Sequence, residues 1–383
     1  MRSAPEAADL AKASGKDVLD FVRSDAKDII IDNMARQLQG DISYEVNMPN
    51  ISRRGLLQTA PAIAILPLTA AITGCEPPER PEGIPISKFN KKSTAEEVTA
   101  GIDLTGKTAL VTGCNSGIGY ETMRVLALRG AHVYGTGRTE AKAREACESV
   151  AGITTPLMLE LSDFDSIVSA ANQFKATGAP LDILICNAGI MELPELEQVN
   201  GIEKQFYVNH LGHFVLVNNL LEQITAAPQG RVVSVSSGRA TGAVPPEGIQ
   251  FDNLSGEKGY EPDLAYGQSK LANVLFTLEL AKRLESTTAT ANSLRPGVIP
   301  TNLGRHMPRW KVIALDTVGK LFTKTIAQGA ATSCYVATAP ALDKVSGYLF
   351  DNCNPVRAGG YTEDREMAAK LWTVSEQLTA GYI

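Results

Sequence analysis

The 383-residue chain has no CxxC pair among its six cysteines, and its four histidines are scattered. Without a cluster of neighbouring ligands, the sequence offers no metal site. It has no basic run: 36 Lys and Arg face 42 Asp and Glu, for a net charge of -6, so a nucleic-acid footprint is set aside. No G-x-S-x-G occurs, which removes the nucleophile elbow of a serine hydrolase. There is no internal repeat, and charge is missing altogether from Gly55 to Gly74. Hydrophobic residues make up 44% and charged ones 20%, so most of the chain can bury a core.

Residues 1–50 read as a polar extension, in which "KDVLDFVRSDAKDIIIDNMARQL" has the spacing of an amphipathic helix with Val18, Val22 and Ile29 on one face. Residues 51–75 form a separate apolar segment. Residues 76–100 hold "EPPERPEGIPISKFNKK", whose proline and charge predict an extended linker. Residues 101–383 read as one catalytic domain. There, "TALVTG", "AHVYGTG", "LDILICNAG", "RVVSVSS" and "TANSLRPG" are short and mostly apolar, as strands buried on both faces must be. Helical patterns alternate with them. The expected fold is a doubly wound, parallel α/β sheet of Rossmann type.

"TALVTGCNSGIGYETMRVLALRG" runs strand, glycine turn, helix. Gly113, Gly117 and Gly119 follow the spacing TGxxxGxG, with Ser116 and Ile118 between them. Glycine lets backbone approach a pyrophosphate, and a helix start offers free N–H groups and a positive dipole end. This context predicts dinucleotide binding. The second strand ends at Arg138, and no carboxylate lies between Ala131 and Thr139 to hold a ribose 2′-hydroxyl. A cation there suits a 2′-phosphate, so NADP(H) is the expected cofactor, with NAD(H) as the alternative.

"AYGQSKLANVLFTLELAKRL" reads as a helix carrying Tyr266 and Lys270 at i, i+4, on one face. A nearby ammonium group favours the phenolate and is expected to lower the tyrosine pKa. Such a pair moves a proton to or from an alcohol or carbonyl.

From about Leu104 the chain resembles the short-chain dehydrogenase/reductases. The matching pieces are "TGCNSGIG", "CNAG" at Cys186–Gly189, "NHLGHF" at Asn209–Phe214, "VSVSS" at Val233–Ser237, "YGQSK", and "RPGVIPT" at Arg295–Thr301. "FDNLSGEKGYEPDLAYGQSKLANVLFTLELAKRL" and "LWTVSEQL" are similar to the retinol dehydrogenase and WW-domain oxidoreductase branch. The resemblance implies roles. Tyr266 is the acid/base, and Lys270 binds the nicotinamide ribose and depresses the tyrosine pKa. Ser237, with Ser236 as the fallback, holds the substrate oxygen. Asn209 positions a water that links Lys270 to solvent. Asn187 and Gly189 line the cofactor, and Pro296, Gly297, Val298 and Thr301 wrap its nicotinamide end. Two departures stand out. Glu160 occupies the place of the usual aspartate beside the adenine, with Asp163 close behind, and 29 residues separate Ser237 from Tyr266. The insert between them is expected to border the substrate entrance.

The implied function is an NADP(H)-dependent oxidoreductase exchanging hydride with an alcohol or carbonyl. The alternatives are a non-catalytic NADP(H) sensor on the same fold, which should have lost part of the catalytic set, and a sugar-nucleotide epimerase or dehydratase, disfavoured by the glycine spacing. A lipophilic substrate is expected, because "NLGRHMPRWKVIALDTVGKLFTKT" mixes Met307, Trp310, Ile313, Leu321 and Phe322 with cations in the manner of a lid. A homo-oligomer is expected from the family. Arg53-Arg54, "GLLQ" and the uncharged stretch resemble a twin-arginine signal, and "ITGC" resembles a lipoprotein cleavage box with Cys75 as the lipidated residue. That predicts export and attachment to a membrane surface, with a cytoplasmic enzyme as the alternative. Met48 is a more conventional start for such a signal, so residues 1–47 are expected to come from an upstream start assignment.

Overall fold

The computed structural model describes residues 79–299 and 323–383. Ten strands occur there: β1 (Thr108–Val111), β2 (His132–Gly137), β3 (Thr154–Met158), β4 (Ile183–Cys186), β5 (Gln198–Val199), β6 (Ile202–Glu203), β7 (Arg231–Val235), β8 (Thr290–Arg295), β9 (Leu349–Asp351) and β10 (Asn354–Val356). Eight of them form one sheet in the order β10-β9-β8-β7-β4-β1-β2-β3, and β5 pairs only with β6. Every pairing from β3 to β9 is parallel; β10 alone returns antiparallel. The described residues lie in one compact unit.

Seven longer helices cover the sheet: α1 (Gly117–Leu128), α2 (Glu140–Glu148), α3 (Phe164–Lys175), α4 (Gly212–Ala226), α5 (Pro262–Arg283), α6 (Ile326–Thr338) and α7 (Arg365–Leu378). Side chains alternate across the strands. Leu110, Leu184 and Val232 enter a core with residues of α3, α4, α5 and α7. Ala109, Val111, Ile183, Ile185 and Val233 enter a second core with α1, α2 and α6. Both faces are thus buried, which is why these strands read as unbroken apolar runs.

The helix starts differ. Thr139, Asp163, Thr325 and Asp364 each accept a backbone N–H from the first turn of α2, α3, α6 and α7. Ser116 makes no such bond to α1, and Glu261 makes none to α5, which opens instead on Pro262. Helix α4 continues directly from a π-helical turn, Tyr207–Leu211.

The C-terminal helix seals the outer side of α4 and α5. Trp372 stacks on Phe276 at 5.7 Å and meets Phe214 edge-on at 4.9 Å, and the Arg283 guanidinium lies 4.1 Å above its ring. His210 adds a bond to Ser375 at 2.8 Å. The stretch expected to be a linker is fastened down from Glu79 onward. Arg357 N–H donates to the Glu79 carbonyl at 2.7 Å, Ser87 and Phe89 bond to Asn354, and Phe89 packs edge-on against Tyr335. Its proline and charge suit a strap as well as a free linker, and Phe89 supplies the apolar anchor. The extension, the apolar segment with Cys75, Thr301 and the expected lid residues Met307, Trp310, Ile313, Leu321 and Phe322 lie outside the described residues. Among the described residues no helix is long and apolar enough to cross a membrane.

Candidate active site

Strand order reverses between β1 and β4, so the crevice beyond their carboxyl ends is where an α/β sheet holds a ligand. The turn after β1 supplies Gly113 and Gly117, both at positive φ (73° and 62°). A Cβ on Gly113 would stand 2.9 Å from that of Ala188, and one on Gly119 would collide with the Gly113 carbonyl and the Asn187 amide. The glycines therefore let three backbones converge. Asn187 holds the turn by donating to the Thr112 carbonyl at 2.9 Å. Because Ser116 does not cap α1, the first N–H groups of that helix remain for an anion. Ile118 is partly buried and packs beside Gly329 of α6.

Arg138 is exposed at the end of β2, where sequence reasoning put it. The adenine-side carboxylates are otherwise occupied. Glu160 accepts from Ser162 N–H at 3.0 Å and its hydroxyl at 2.8 Å, while Asp163 caps α3.

Tyr266 and Lys270 project from α5, both with 3% of their surface exposed. The adjacent serines separate cleanly. Ser236 is buried and donates to the Lys270 carbonyl at 2.7 Å, whereas Ser237 is hydrogen-bonded to the Tyr266 hydroxyl. Lys270 Nζ donates to the Val235 carbonyl at 3.1 Å and stands 5.8 Å from the Tyr266 ring centroid. Burial pushes the Lys270 ammonium down to about 8. It pushes the Tyr266 phenol up to about 12, against the lowering bond from Ser237. The expected lowering by Lys270 is therefore not found. Desolvation of a fully enclosed phenol outweighs a cation that is itself held near its own deprotonation. Glu192 and Asp263 raise the phenol further, and Arg239, paired with Asp263 at 3.1 Å, lowers it.

Gly189 lies between the two halves of the site: a Cβ there would stand 2.9 Å from Asn209 Oδ1 and 3.4 Å from Lys270 Nζ. The Asn209 side chain is spent on structure. It accepts from Ile190 N–H at 2.9 Å and donates to the Ile190 carbonyl and to Ser269 Oγ at 3.0 and 2.9 Å. Ser269 in turn donates to the Tyr266 carbonyl at 2.7 Å. Pro296, Gly297 and Val298 follow β8. Lys324 clamps them, donating Nζ–H to the Pro296 carbonyl and N–H to that of Val298, both at 2.9 Å.

The structure brings together Gly113, Gly119, Asn187, Gly189, Asn209, Ser237, Tyr266 and Lys270. Sequence reasoning missed Thr112, His213, Ser269, Glu192 and Lys324. His213 stands inside the quoted "NHLGHF", but only the fold gives it partners.

The comparisons agree with this geometry. The family model described as "short chain dehydrogenase" matches residues 107–248. Short-chain dehydrogenase TIC 32 A, chloroplastic, of Brassica napus is 41% identical over 76% of this chain and 94% of its own length. Human retinol dehydrogenase 14 is 38% identical over 71% and 85%, and human WW domain-containing oxidoreductase 38% over 76% and 72%. A solved structure from Mycobacterium Paratuberculosis superposes with a TM-score of 0.59 at 33% identity, over 75% of this chain and 97% of that one. An angucycline C-6 ketoreductase with bound NADP gives 0.53 at 28%, over 65% and 95%. A glycine cradle at the sheet's switch point, a serine–tyrosine–lysine group beside it and relatives of this likeness lead to one conclusion: the chain belongs to the short-chain dehydrogenase/reductases, and it is an NAD(P)-dependent oxidoreductase acting on CH–OH or C=O groups.

Proposed function

We propose that the protein is an NADP(H)-preferring reductase of lipophilic carbonyl compounds, and that Tyr266, Ser237, Lys270 and Asn209 carry the reaction. The observation behind this reading is the Ser237–Tyr266 hydrogen bond near a buried Lys270, with Gly189 letting the backbone pass close to Asn209 and Lys270. The turn suits a dinucleotide, because glycine at 113 and 119 lets it close tightly against Asn187 and Ala188 at the uncapped start of α1. When bound, the nicotinamide supplies the hydride and, in its oxidised form, a positive charge. Ser237 orients the substrate oxygen. Tyr266, protonated at neutral pH because burial raises it, gives its proton to that oxygen. Lys270 holds the ribose hydroxyls and lends positive charge to the site. Asn209 keeps the Ile190 backbone and the Tyr266 turn in place, and a water beside it joins Lys270 to solvent.

NADP(H) preference rests on the exposed Arg138 and the lack of a carboxylate at the end of β2. A lipophilic substrate is supported by the likeness to retinol dehydrogenases and by the apolar residues of 302–322. Assay of aliphatic, aromatic and retinoid aldehydes and alcohols with both cofactors tests the reading; turnover confined to sugars or hydroxy acids overturns it. Arg138→Ala is expected to weaken NADPH by roughly tenfold to a hundredfold, with NADH little changed, since a charge-assisted phosphate contact contributes about 1.5–3 kcal/mol. Ser52–Cys75 supports export as a lipoprotein lying on a membrane surface. Cell fractionation with N-terminal analysis tests that, and a cytoplasmic protein with unmodified Cys75 overturns it.

A further inference from the structure

Two histidines of "NHLGHF" are buried, and they serve different neighbours. His210 bonds to Ser375 on the C-terminal helix. His213 faces the site: its Nε2 lies 2.9 Å from Thr112 Oγ1 and its Nδ1 3.0 Å from the Asn209 carbonyl. The hydrogen positions follow from counting. Thr112 Oγ1 accepts N–H bonds from Asn187 and Ala188, both at 2.9 Å, which uses both of its lone pairs. Its own hydrogen must go to His213 Nε2 at 2.9 Å or to the Ile185 carbonyl at 3.4 Å, and the shorter contact wins. His213 Nε2 is then bare, and the ring proton sits on Nδ1, directed at Asn209. A second ring proton has no acceptor left. Burial pushes His213 down to about 4, and the neighbouring Lys270 charge acts in the same direction.

Asn209 lies in the middle of the π turn, where the Gly212 N–H reaches back to the Tyr207 carbonyl. Such a turn spreads its carbonyls and needs partners from outside the helix. What fixes Asn209 also fixes the Ile190 backbone, Ser269 and, through Ser269, the Tyr266 turn.

We propose that His213 is a positioning residue. As the neutral Nδ1–H tautomer it ties Thr112, at the root of the phosphate turn, to the Asn209 carbonyl, and so sets the cofactor cradle relative to the Tyr266–Lys270 pair. The kinetic part of this inference rests on the oxidoreductase reading; the tautomer does not.

The test uses the full chain. Long-range 1H–15N spectra of 15N-histidine protein should show His213 protonated on Nδ1 alone at pH 7 and still neutral at pH 5. Thr112→Val should leave the proton on Nδ1, held by the Asn209 carbonyl, while the Nε2 resonance moves to that of a nitrogen with no hydrogen-bond donor. With an aldehyde that the native protein reduces, His213→Leu should lower kcat at least tenfold and move the apparent pKa of its pH profile. His213→Asn keeps an N–H at the Nδ1 place and should recover kcat to within threefold of native. An Nε2–H or doubly protonated ring at pH 7 overturns the proposal. So does near-native kcat in His213→Leu, or equal loss in the leucine and asparagine variants. If the leucine variant does not fold, the asparagine and Thr112→Val proteins decide. If the native protein reduces no carbonyl, the functional reading fails while the spectra still judge the tautomer.

Discussion

The seven longer helices begin in different ways. Helices α2, α3, α6 and α7 are closed by a threonine or aspartate that takes up a backbone N–H, α4 runs on from the π turn, and α1 and α5 start from a loop without any side-chain cap. The capped four are scaffold. Of the three without a side-chain cap, α1 follows the glycine turn and α5 carries the Tyr266–Lys270 pair. A cap satisfies the same N–H groups that an anion would use, so a helix can be finished or left receptive, but not both. The protein forgoes a stabilising contact at α1, at the place proposed above for the cofactor's pyrophosphate.

Four substitutions can break or sharpen this contrast. The largest effect is expected on α5. Tyr266→Phe should cut kcat by about 10²–10⁴-fold, the usual contribution of a positioned acid, with NADPH affinity and thermal stability unchanged. Unaltered turnover would detach function from that helix. Lys270→Met should abolish turnover yet stabilise the protein at pH 7. Holding Lys270 near 8 instead of 10.5 costs on the order of 3 kcal/mol, against roughly 1–2 lost with its bond to the Val235 carbonyl. The sign follows from linkage. Below pH 8 both states are charged, and the folded state bears the full cost. Between 8 and 10.5 only the unfolded chain keeps the proton, so native stability rises with pH and the variant's advantage fades. Urea unfolding at pH 7 and pH 10 reads this; an advantage that grows with pH would refute it.

Smaller effects come from the caps. Ser116→Asp gives α1 a cap and a negative charge at its start. The unliganded protein should gain about 1 kcal/mol and lose at least tenfold in NADPH affinity, measured by calorimetry and fluorescence titration. Gain without loss would mean that the pyrophosphate does not use that helix. The mirror change, Asp163→Ala, removes the α3 cap. It should cost roughly 0.5–2 kcal/mol in thermal unfolding and leave cofactor affinity alone.

Local features were legible in the sequence. The glycine turn, the i, i+4 spacing of Tyr266 and Lys270 and the five apolar strands depend on residues close together in the chain, and their periodicity records them. Strands β9 and β10 escaped because three residues each are too few to show a period. The choice between Ser236 and Ser237 needs the direction of a strand end relative to α5, which neighbours in sequence do not encode. The Thr112–His213 contact joins residues 101 positions apart. The Tyr266 pKa was misjudged because spacing reveals a nearby lysine but not the depth at which both are buried.

The seal over α4 and α5 has a consequence for how the protein is made. Trp372 and its helix are made well after α5, yet Trp372 covers Phe276 and Arg283 on the helix that bears Tyr266. A nascent chain can hold the phosphate turn long before that helix has its outer neighbour. A chain cut before α7 would therefore keep the glycine turn while the helix of Tyr266 goes without its outer cover, so the two halves of the proposed site mature at different times during synthesis.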